Sequence, residues 1–293
     1  MKRHSNFLLI TLLVIILGTL AGCKLNAANP PVPNPNPPKI SEPVQEEPKT
    51  TPPAASNPVE EPAPVQQKSF SWWFTRNQQH QVPSINNDTA QLLAQNNAFY
   101  ALPNNNKKIY LTFDNGYELG YTSKILDILS RKQVKAAFFI TGQFIQTQPD
   151  LVKRMQSSGH LVCNHTLNHP DLGSISQENF NQEIKSLEQK YTSLTGGQLA
   201  PYLRPPMGNY TASSLKWAKD LGYNTVFWSI AFQDWDPNKQ PGASYSHDHV
   251  LANIHPGAVI LLHAVSQSDT EALEQIITDL QAQGYIFSNF NDR

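Results

Sequence analysis

Five short polar segments each follow an apolar run. Asp114-Asn115-Gly116 follows Ile109 to Phe113, and His165 and His169 follow Leu161 to Cys163. Arg204-Pro205-Pro206 follows Tyr202-Leu203, Asp234-Trp235 follows Thr225 to Phe232, and His263 ends the run from Val259. Two imidazoles four residues apart can face one cation from one side of a helical turn, and Asn115 can add a third, oxygen ligand. Three protein ligands leave positions open for water and substrate, which is the pattern of a catalytic site. A bound divalent cation acidifies water and polarises a carbonyl. Asp114 is then placed to take the water's proton, and His263, from another strand, to protonate a departing amine. This is equipment for metal-assisted hydrolysis of an amide. A mixed imidazole and oxygen site accepts Zn, Mn, Co or Mg, so the metal's identity stays open.

Each segment alone has a plainer explanation. Asp-Asn-Gly is good turn chemistry, a His pair can be solvated helix surface, Arg204 can serve a structural ion pair, and a lone His after a strand can be a bonded core residue. Their recurrence at the same end of five of the seven expected strands is what points to a site.

The elements that must position them alternate. Apolar strand runs are expected at Ile109 to Phe113, Val134 to Ile140, Leu161 to Cys163, Tyr202-Leu203, Thr225 to Phe232, Val259 to His263 and Tyr285 to Phe290. Between them lie helical stripes. Ala90 to Leu93 reads as a short helix, Thr122 or Ser123 as the cap of a helix carrying Ile125, Leu126 and Leu129, and Pro149 as the opening of one that Gly159 follows. Phe180, Ile184, Leu187, Tyr191 and Leu194 recur at steps of four and three, the clearest stripe in the chain. Further helices are expected around Leu215 to Leu221, His249 to Ile254 and Ala272 to Leu280. Apolar strands separated by amphipathic helices make a parallel sheet covered by helices. About seven strands in one domain favour an α/β fold closed into a distorted (β/α)7-type barrel, whose chemistry belongs at the carboxyl ends of the strands.

The remainder of the 293 residues is of another kind. With 22 Lys+Arg against 23 Asp+Glu the net charge is −1, which excludes a nucleic-acid binder held by bulk charge, and two Cys cannot make a disulfide scaffold. Lys2 and Arg3 precede the apolar run Phe7 to Leu17, and Leu20-Ala21-Gly22-Cys23 closes it. The run is too short to span a membrane and has the length of a signal-peptide core. It resembles a bacterial lipoprotein signal, which implies cleavage after residue 22, lipidation of Cys23 and attachment to a membrane by acyl chains; an ordinary secretory signal is the alternative. Of 23 Pro, 13 lie between Pro30 and Pro64. Residues 23–69 therefore read as a disordered, extended tether with a reach on the order of 130 Å, and residues 70–293 as one domain. The cluster Phe70-Ser71-Trp72-Trp73-Phe74 opens that domain and is expected to pin its start onto the core, with contact to a sugar polymer as the alternative. Cys163 reads as a packed thiol.

Taken together, Thr112-Phe113-Asp114-Asn115-Gly116, His165-Thr166-Leu167-Asn168-His169, Arg204-Pro205-Pro206, Asp234-Trp235 and Leu261-Leu262-His263 resemble the five motifs of the polysaccharide deacetylases, the NodB-like enzymes of carbohydrate esterase family 4. The resemblance runs over roughly Phe70 to Phe290. The first motif, Val226-Phe227-Trp228-Ser229 and Leu261 to Ser266 are more similar still to the delta-lactam-biosynthetic de-N-acetylases of spore-forming bacteria. That likeness implies a peptidoglycan substrate, with acetyl removed from N-acetylmuramic acid on the way to the muramic lactam of spore cortex. It further implies Asp114 as general base, His165 and His169 as metal ligands with Asn115, Arg204 as the partner orienting Asp114, and His263 as general acid. Met207, through its backbone N–H, Asp234, Trp235 and Leu261 would meet the substrate. A monomer at the cell envelope, membrane-attached through Cys23, with the forespore intermembrane space as one such location, is the implied setting.

Three departures qualify the likeness. Asn115 stands where the wider family has Asp, Ala231 where many members carry an Asp that sets the protonation of the catalytic His, and Met207 where an aromatic residue or Arg is common. An N-acetylglucosamine deacetylase, on peptidoglycan or chitooligosaccharide, is the alternative activity. A lipid-anchored glycan-binding protein without turnover is the alternative class.

Overall fold

The computed structural model describes residues 68–292. The signal sequence, Cys23 and nearly all of the tether lie outside the described residues. The elements in chain order are β1 (Phe70–Ser71), α1 (Asn87–Gln95), β2 (Ala98–Phe99), β3 (Lys108–Asn115), α2 (Thr122–Lys132), β4 (Ala137–Ile140), α3 (Gly142–Thr147), α4 (Pro149–Ser157), β5 (Leu161–Asn164), α5 (Gln177–Thr195), β6 (Ala200–Leu203), β7 (Asn209–Tyr210), α6 (Ala212–Asp220), β8 (Asn224–Val226), α7 (Ala243–Asn253), β9 (Val259–His263), α8 (Gln267–Ala282) and β10 (Ile286–Phe287). Strands β9, β3, β4, β5, β6, β8 and β2 neighbour one another in that order, all parallel, with β10 added against the start of β3. The sheet is curled into a half-barrel. One parallel bridge, Ile230 to Ile260, links the chain beyond β8 back to β9.

Alternation along the strands decides which side chains face the hollow. Ile109, Leu111 and Phe113, with Phe138 and Ile140, join one cluster with helix residues such as Ile125, Leu129, Leu273 and Ile277. Tyr110, Phe139, Cys163, Tyr202, Val226 and Val259 form a second cluster, closed by Phe290. Two residues on from Cys163 and Tyr202, and four from Tyr110 and Val259, the same parity yields His165, Arg204, Asp114 and His263. Asp114 and His263 are direct partners in the parallel register of β3 and β9. The hollow is thus plugged by aromatics at one end and polar at the other.

Helix signals translate closely. In α5, Phe180, Ile184, Leu187 and Tyr191 are buried, Ser176 caps the start and Gly196 ends it at φ 70°. Burying each such side chain contributes roughly 1.5–3 kcal/mol before ordering costs. Pro149 occupies the first turn of α4. Helix α2 differs from expectation, because neither Thr122 nor Ser123 caps it. Its N-cap is Tyr121, without a side-chain bond, and Glu118 accepts the N–H of Thr122.

Several expected strands are shorter than their apolar runs. Val134 to Ala136 precede β4 as loop, and the run Tyr285 to Phe290 pairs only at Ile286–Phe287 before Phe290 turns in as the plug. The run Thr225 to Phe232 stops pairing at Val226. There the chain changes neighbours: Phe227 donates to Phe99, whereas Ser229 and Ile230 donate to the Val259 carbonyl. An aromatic run cannot signal this bend, since both halves are apolar.

The opening aromatic cluster divides. Trp72 is buried, stacked on Phe227 with ring centroids 4.5 Å apart, and its Nε1 donates to the Trp228 carbonyl at 3.0 Å. Gly208, at φ 70°, has no room for a Cβ between Trp72 and Trp228. Trp73 is 78% exposed. The core reading therefore describes Trp72 and not its neighbour.

Candidate active site

The carboxyl ends of β3, β5, β6 and β9 bring their polar residues to one place. Arg204 is fully buried (0% exposed) with its guanidinium over the Phe139 ring at 4.1 Å, and its Nη1 donates to Asp114 Oδ1 at 2.7 Å. Its Nε donates to the Val226 carbonyl at 3.2 Å. Burial by itself raises the Asp114 pKa, but Arg204, His165 and His263 outweigh it and hold the carboxyl below the usual carboxylate range. Asp114 is therefore an ionised acceptor near neutral pH, oriented by the cation beneath it.

His165 Nδ1 lies 2.8 Å from the Arg204 carbonyl, an acceptor, so Nδ1 carries the proton and Nε2 keeps its lone pair. Burial pushes its pKa down to about 4, leaving the ring neutral. Nε2 faces Asp114 Oδ2 at 3.5 Å. Two electron-rich atoms so close, neither with a proton to share, are arranged for a positive species beside them. The His169 ring stands edge-on to His165, centroids 4.9 Å apart.

The two imidazoles converge by a different route from the expected helical turn. They sit on a loop in which Thr166 (φ 69°) and His169 (φ 58°) are left-handed, a conformation that costs non-glycine residues of order 1–3 kcal/mol. Surrounding bonds over-determine it. Asn164 Oδ1 accepts from the Thr166 N–H at 2.8 Å, Thr166 Oγ1 from the His169 N–H at 3.0 Å, and Glu183 on α5 takes both the N–H and the side-chain amide of Asn168 at 2.7 Å. Gly142 lets the loop press onto α3, where a Cβ would meet the Leu167 carbonyl at 2.6 Å.

On the opposite wall His263 Nδ1 bonds Asp234 Oδ1 at 2.7 Å, and its backbone N–H donates to Asp234 Oδ2 at 2.8 Å. Burial would lower the His263 pKa, but the Asp234 carboxylate more than reverses this and raises it. Nδ1–H is thereby committed and Nε2 is left to carry a second proton. All of this surrounds a cavity of about 1150 Å³, whose lining includes Asp114, His165, His169 and His263.

The match to known proteins is consistent along the chain. A model of the polysaccharide deacetylase family matches residues 101–226, which include Asp114, His165, His169 and Arg204. The peptidoglycan-N-acetylmuramic acid deacetylase PdaA of Bacillus subtilis is 45% identical over 228 residues, 78% of this chain and 87% of that protein. The chain belongs to the polysaccharide deacetylases of carbohydrate esterase family 4. The solved structure of Bacillus subtilis PdaA superimposes with a TM-score of 0.74 at 45% identity, covering 77% of this chain and 96% of that one. A peptidoglycan-N-acetylglucosamine deacetylase of Bacillus cereus is 37% identical, over 63% of this chain and 67% of that protein.

Deacetylases of this family are generally metal-dependent, and the donor set here fits a divalent cation. No group of three His, Cys, Asp or Glu forms a metal cluster among the described residues; the set is two imidazoles and an amide. Asn115 is fully buried, its Nδ2 donates to Thr122 Oγ1 at 3.2 Å, and that orientation leaves Oδ1 buried without a partner. An orphaned buried carbonyl oxygen on the residue next to Asp114 is what a hard or borderline cation would satisfy, with His165 and His169 supplying the imidazoles. Asn115→Asp is expected to tighten Zn²⁺ or Mn²⁺ binding to the stripped protein about tenfold in calorimetry. Unchanged affinity would remove Asn115 from the ligand set.

The remaining expected positions of this deacetylase fall as follows. Met207 (φ 57°, 59% exposed), Trp235 and Leu261 line the cavity. Asp234, expected among the substrate contacts, is 1% exposed and lies behind His263 with both oxygens turned to it. Asp234 thus gives His263 a carboxylate partner in a chain that has Ala at 231. Cys163 is a buried free thiol whose pKa burial pushes up.

Asp269 escaped the sequence reading, because an Asp in the first turn of a helix reads as an ordinary partner of the helix dipole. It is 1% exposed and its carboxyl lies against that of Asp234. Burial first, and then Asp234, hold its pKa well above the carboxylate range. Burial beside the Asp234 carboxylate thus favours the neutral form of Asp269. Asp269→Asn, neutral at every pH, is expected to leave the alkaline limb of the kcat–pH curve in place. Movement of that limb toward acid would mean that a second negative charge had been lost.

Proposed function

We propose that this protein is a metal-dependent peptidoglycan N-deacetylase that removes acetyl from N-acetylmuramic acid, a step toward muramic delta-lactam in spore cortex. The observation that carries the reading is the convergence of Asp114, paired to Arg204, with the His165–His169 pair and the Asp234-held His263 on one cavity. Similarity to the Bacillus subtilis N-acetylmuramic acid deacetylase supports the choice of sugar.

His165, His169 and Asn115 would hold the cation. When bound, it supplies Lewis acidity, making water more acidic and drawing charge from the amide carbonyl. Asp114, ionised and fixed by Arg204, takes the proton of the attacking water. Oxyanion charge is met at the turn bearing Met207, whose backbone N–H would point to it. His263, kept protonated by Asp234, delivers its proton to the sugar nitrogen as the C–N bond breaks. Trp235 and Leu261 shape the wall against the acetyl methyl group.

The proposed setting is extracytoplasmic: a signal over residues 1–22, a lipid on Cys23, a tether over residues 23–69 and the deacetylase domain over 70–293 acting as a monomer on nearby glycan strands. The test is acetate release by the purified protein from peptide-free glycan strands supplied with Zn²⁺, Mn²⁺, Co²⁺ or Mg²⁺ in turn, with mass spectrometry locating the free amine. Muramic amine is the expected product. Free amine on glucosamine would transfer the assignment to the second reading, which the Bacillus cereus relative favours, and no release with any metal would refute both.

A further inference from the structure

The mechanism uses the inner part of the cavity, yet the cavity extends well past it. At about 1150 Å³ it exceeds the usual range for small-ligand pockets, roughly 300–1,000 Å³. Its outer wall is the opening segment of the domain: Trp72, Trp73, Phe74 and Arg76 line it. Among the described residues seven large hydrophobic side chains are exposed, and four of them, Trp73, Tyr117, Met207 and Trp235, line this one cavity. Exposed apolar surface gathered at one groove marks a ligand face.

The segment is held rigidly, so its exposed side chains are presented and not adrift. Phe70–Ser71 pairs antiparallel with Asn209–Tyr210, the Phe70 ring stacks on Tyr210 at 5.4 Å, and the Trp72 N–H donates to the Gly208 carbonyl at 2.8 Å. Alternation along this extended run turns Phe70 and Trp72 to the core and Trp73 outward. Folding gives no reason for an indole there. Arg76 is fixed on the same wall, its Nη2 donating to the Ala231 carbonyl at 2.6 Å and its guanidinium over the Phe74 ring at 5.3 Å. That uses one of five N–H donors. The Asp114 charge is matched by Arg204, and Arg76 and Lys190 are the Lys and Arg residues lining the cavity, so its outer part suits an anion.

We propose that Trp73 and Arg76 form an outer subsite for the glycan strand: the indole stacks on a sugar ring next to the one being deacetylated, and the guanidinium pairs with a carboxylate that the strand carries. The subsite deepens the glycan-deacetylase reading and rests on it for the direction of the strand. It makes the enzyme one that prefers polymer over disaccharide, and carboxylate-bearing strands over neutral ones.

The test is calorimetric binding to the full chain carrying Asp114→Asn, which removes turnover. Three probes are used: peptide-free peptidoglycan strands, a neutral hexamer of N-acetylglucosamine and the peptidoglycan disaccharide. Adding Trp73→Ala is expected to weaken strand binding about tenfold and to abolish the preference for hexamer over disaccharide, whereas Trp73→Phe restores most of both. Adding Arg76→Gln is expected to erase the preference for peptidoglycan strands over the neutral hexamer, together with its salt sensitivity. Equal strand affinity with and without Trp73→Ala, or no length preference in the parent, would overturn the proposal. Strand binding without acetate release by the unsubstituted protein would refute the deacetylase reading and leave the subsite standing. Acetate release indifferent to Trp73 and Arg76 would do the reverse.

Discussion

Asp114→Asn is expected to lower kcat by about 10²–10⁴-fold, the range a positioned general base contributes, while the protein still unfolds cooperatively. The substitution keeps a carbonyl oxygen for the 2.7 Å bond from Arg204, and Arg204 keeps its place over Phe139. What is lost is the basicity and the counter-charge to a fully buried cation. Residual activity above a tenth would remove Asp114 from the base role. The pair also sets acid stability. Because the folded pKa of Asp114 lies below its unfolded value, its contribution is present above about pH 4 and is lost as the pH falls through the folded pKa. Thermal melts of the substituted protein should therefore lose part of their acid sensitivity.

Asp234→Asn is expected to cost nearly as much, about 10²–10³-fold in kcat, without touching the substrate. The carboxylate fixes the His263 tautomer through Nδ1 and raises the ring's pKa. An amide can present an N–H to Nδ1, which leaves a neutral ring whose single proton on Nε2 is far less acidic than that of the imidazolium, and it removes the charge that keeps His263 protonated. The alkaline limb of the kcat–pH profile should move toward acid. The sign for stability is opposite to that of Asp114: a raised folded pKa stabilises below the unfolded value, about pH 6.5, and that contribution fades as the pH rises through the folded pKa. An unmoved limb in the variant would show that Asp234 does not tune the acid.

The sequence exposes the parts of this site that follow from short-range rules. Strand ends at Asp114, His165, Arg204 and His263 are legible because apolar runs stop there and because period two places each on the interior face. The stripe of α5 is legible because its spacing is helical. Features set by long-range contact are not. The left-handed turns at Thr166 and His169 depend on Asn164 and on Glu183 from another element, so a spacing of four suggests a helix where a clamped loop exists. The bend after Val226 depends on Phe99 and Val259, distant in the chain. Asp234 and Trp235 are adjacent, yet one supports His263 from behind and the other lines the cavity. Likewise Trp72 and Trp73 read as one cluster until pairing with Asn209–Tyr210 turns them to opposite sides.

The central claim is that side chains from separate strands meet at one cation. Anomalous scattering from crystals of the protein grown with Zn²⁺ tests it most directly. The account predicts a single strong peak about 2.0–2.2 Å from His165 Nε2, a ring nitrogen of His169 and Asn115 Oδ1, with Asp114 beside it and not displaced from Arg204. A peak held by only one imidazole, or by Asp114 in place of Asn115 with the Arg204 pair broken, would contradict it.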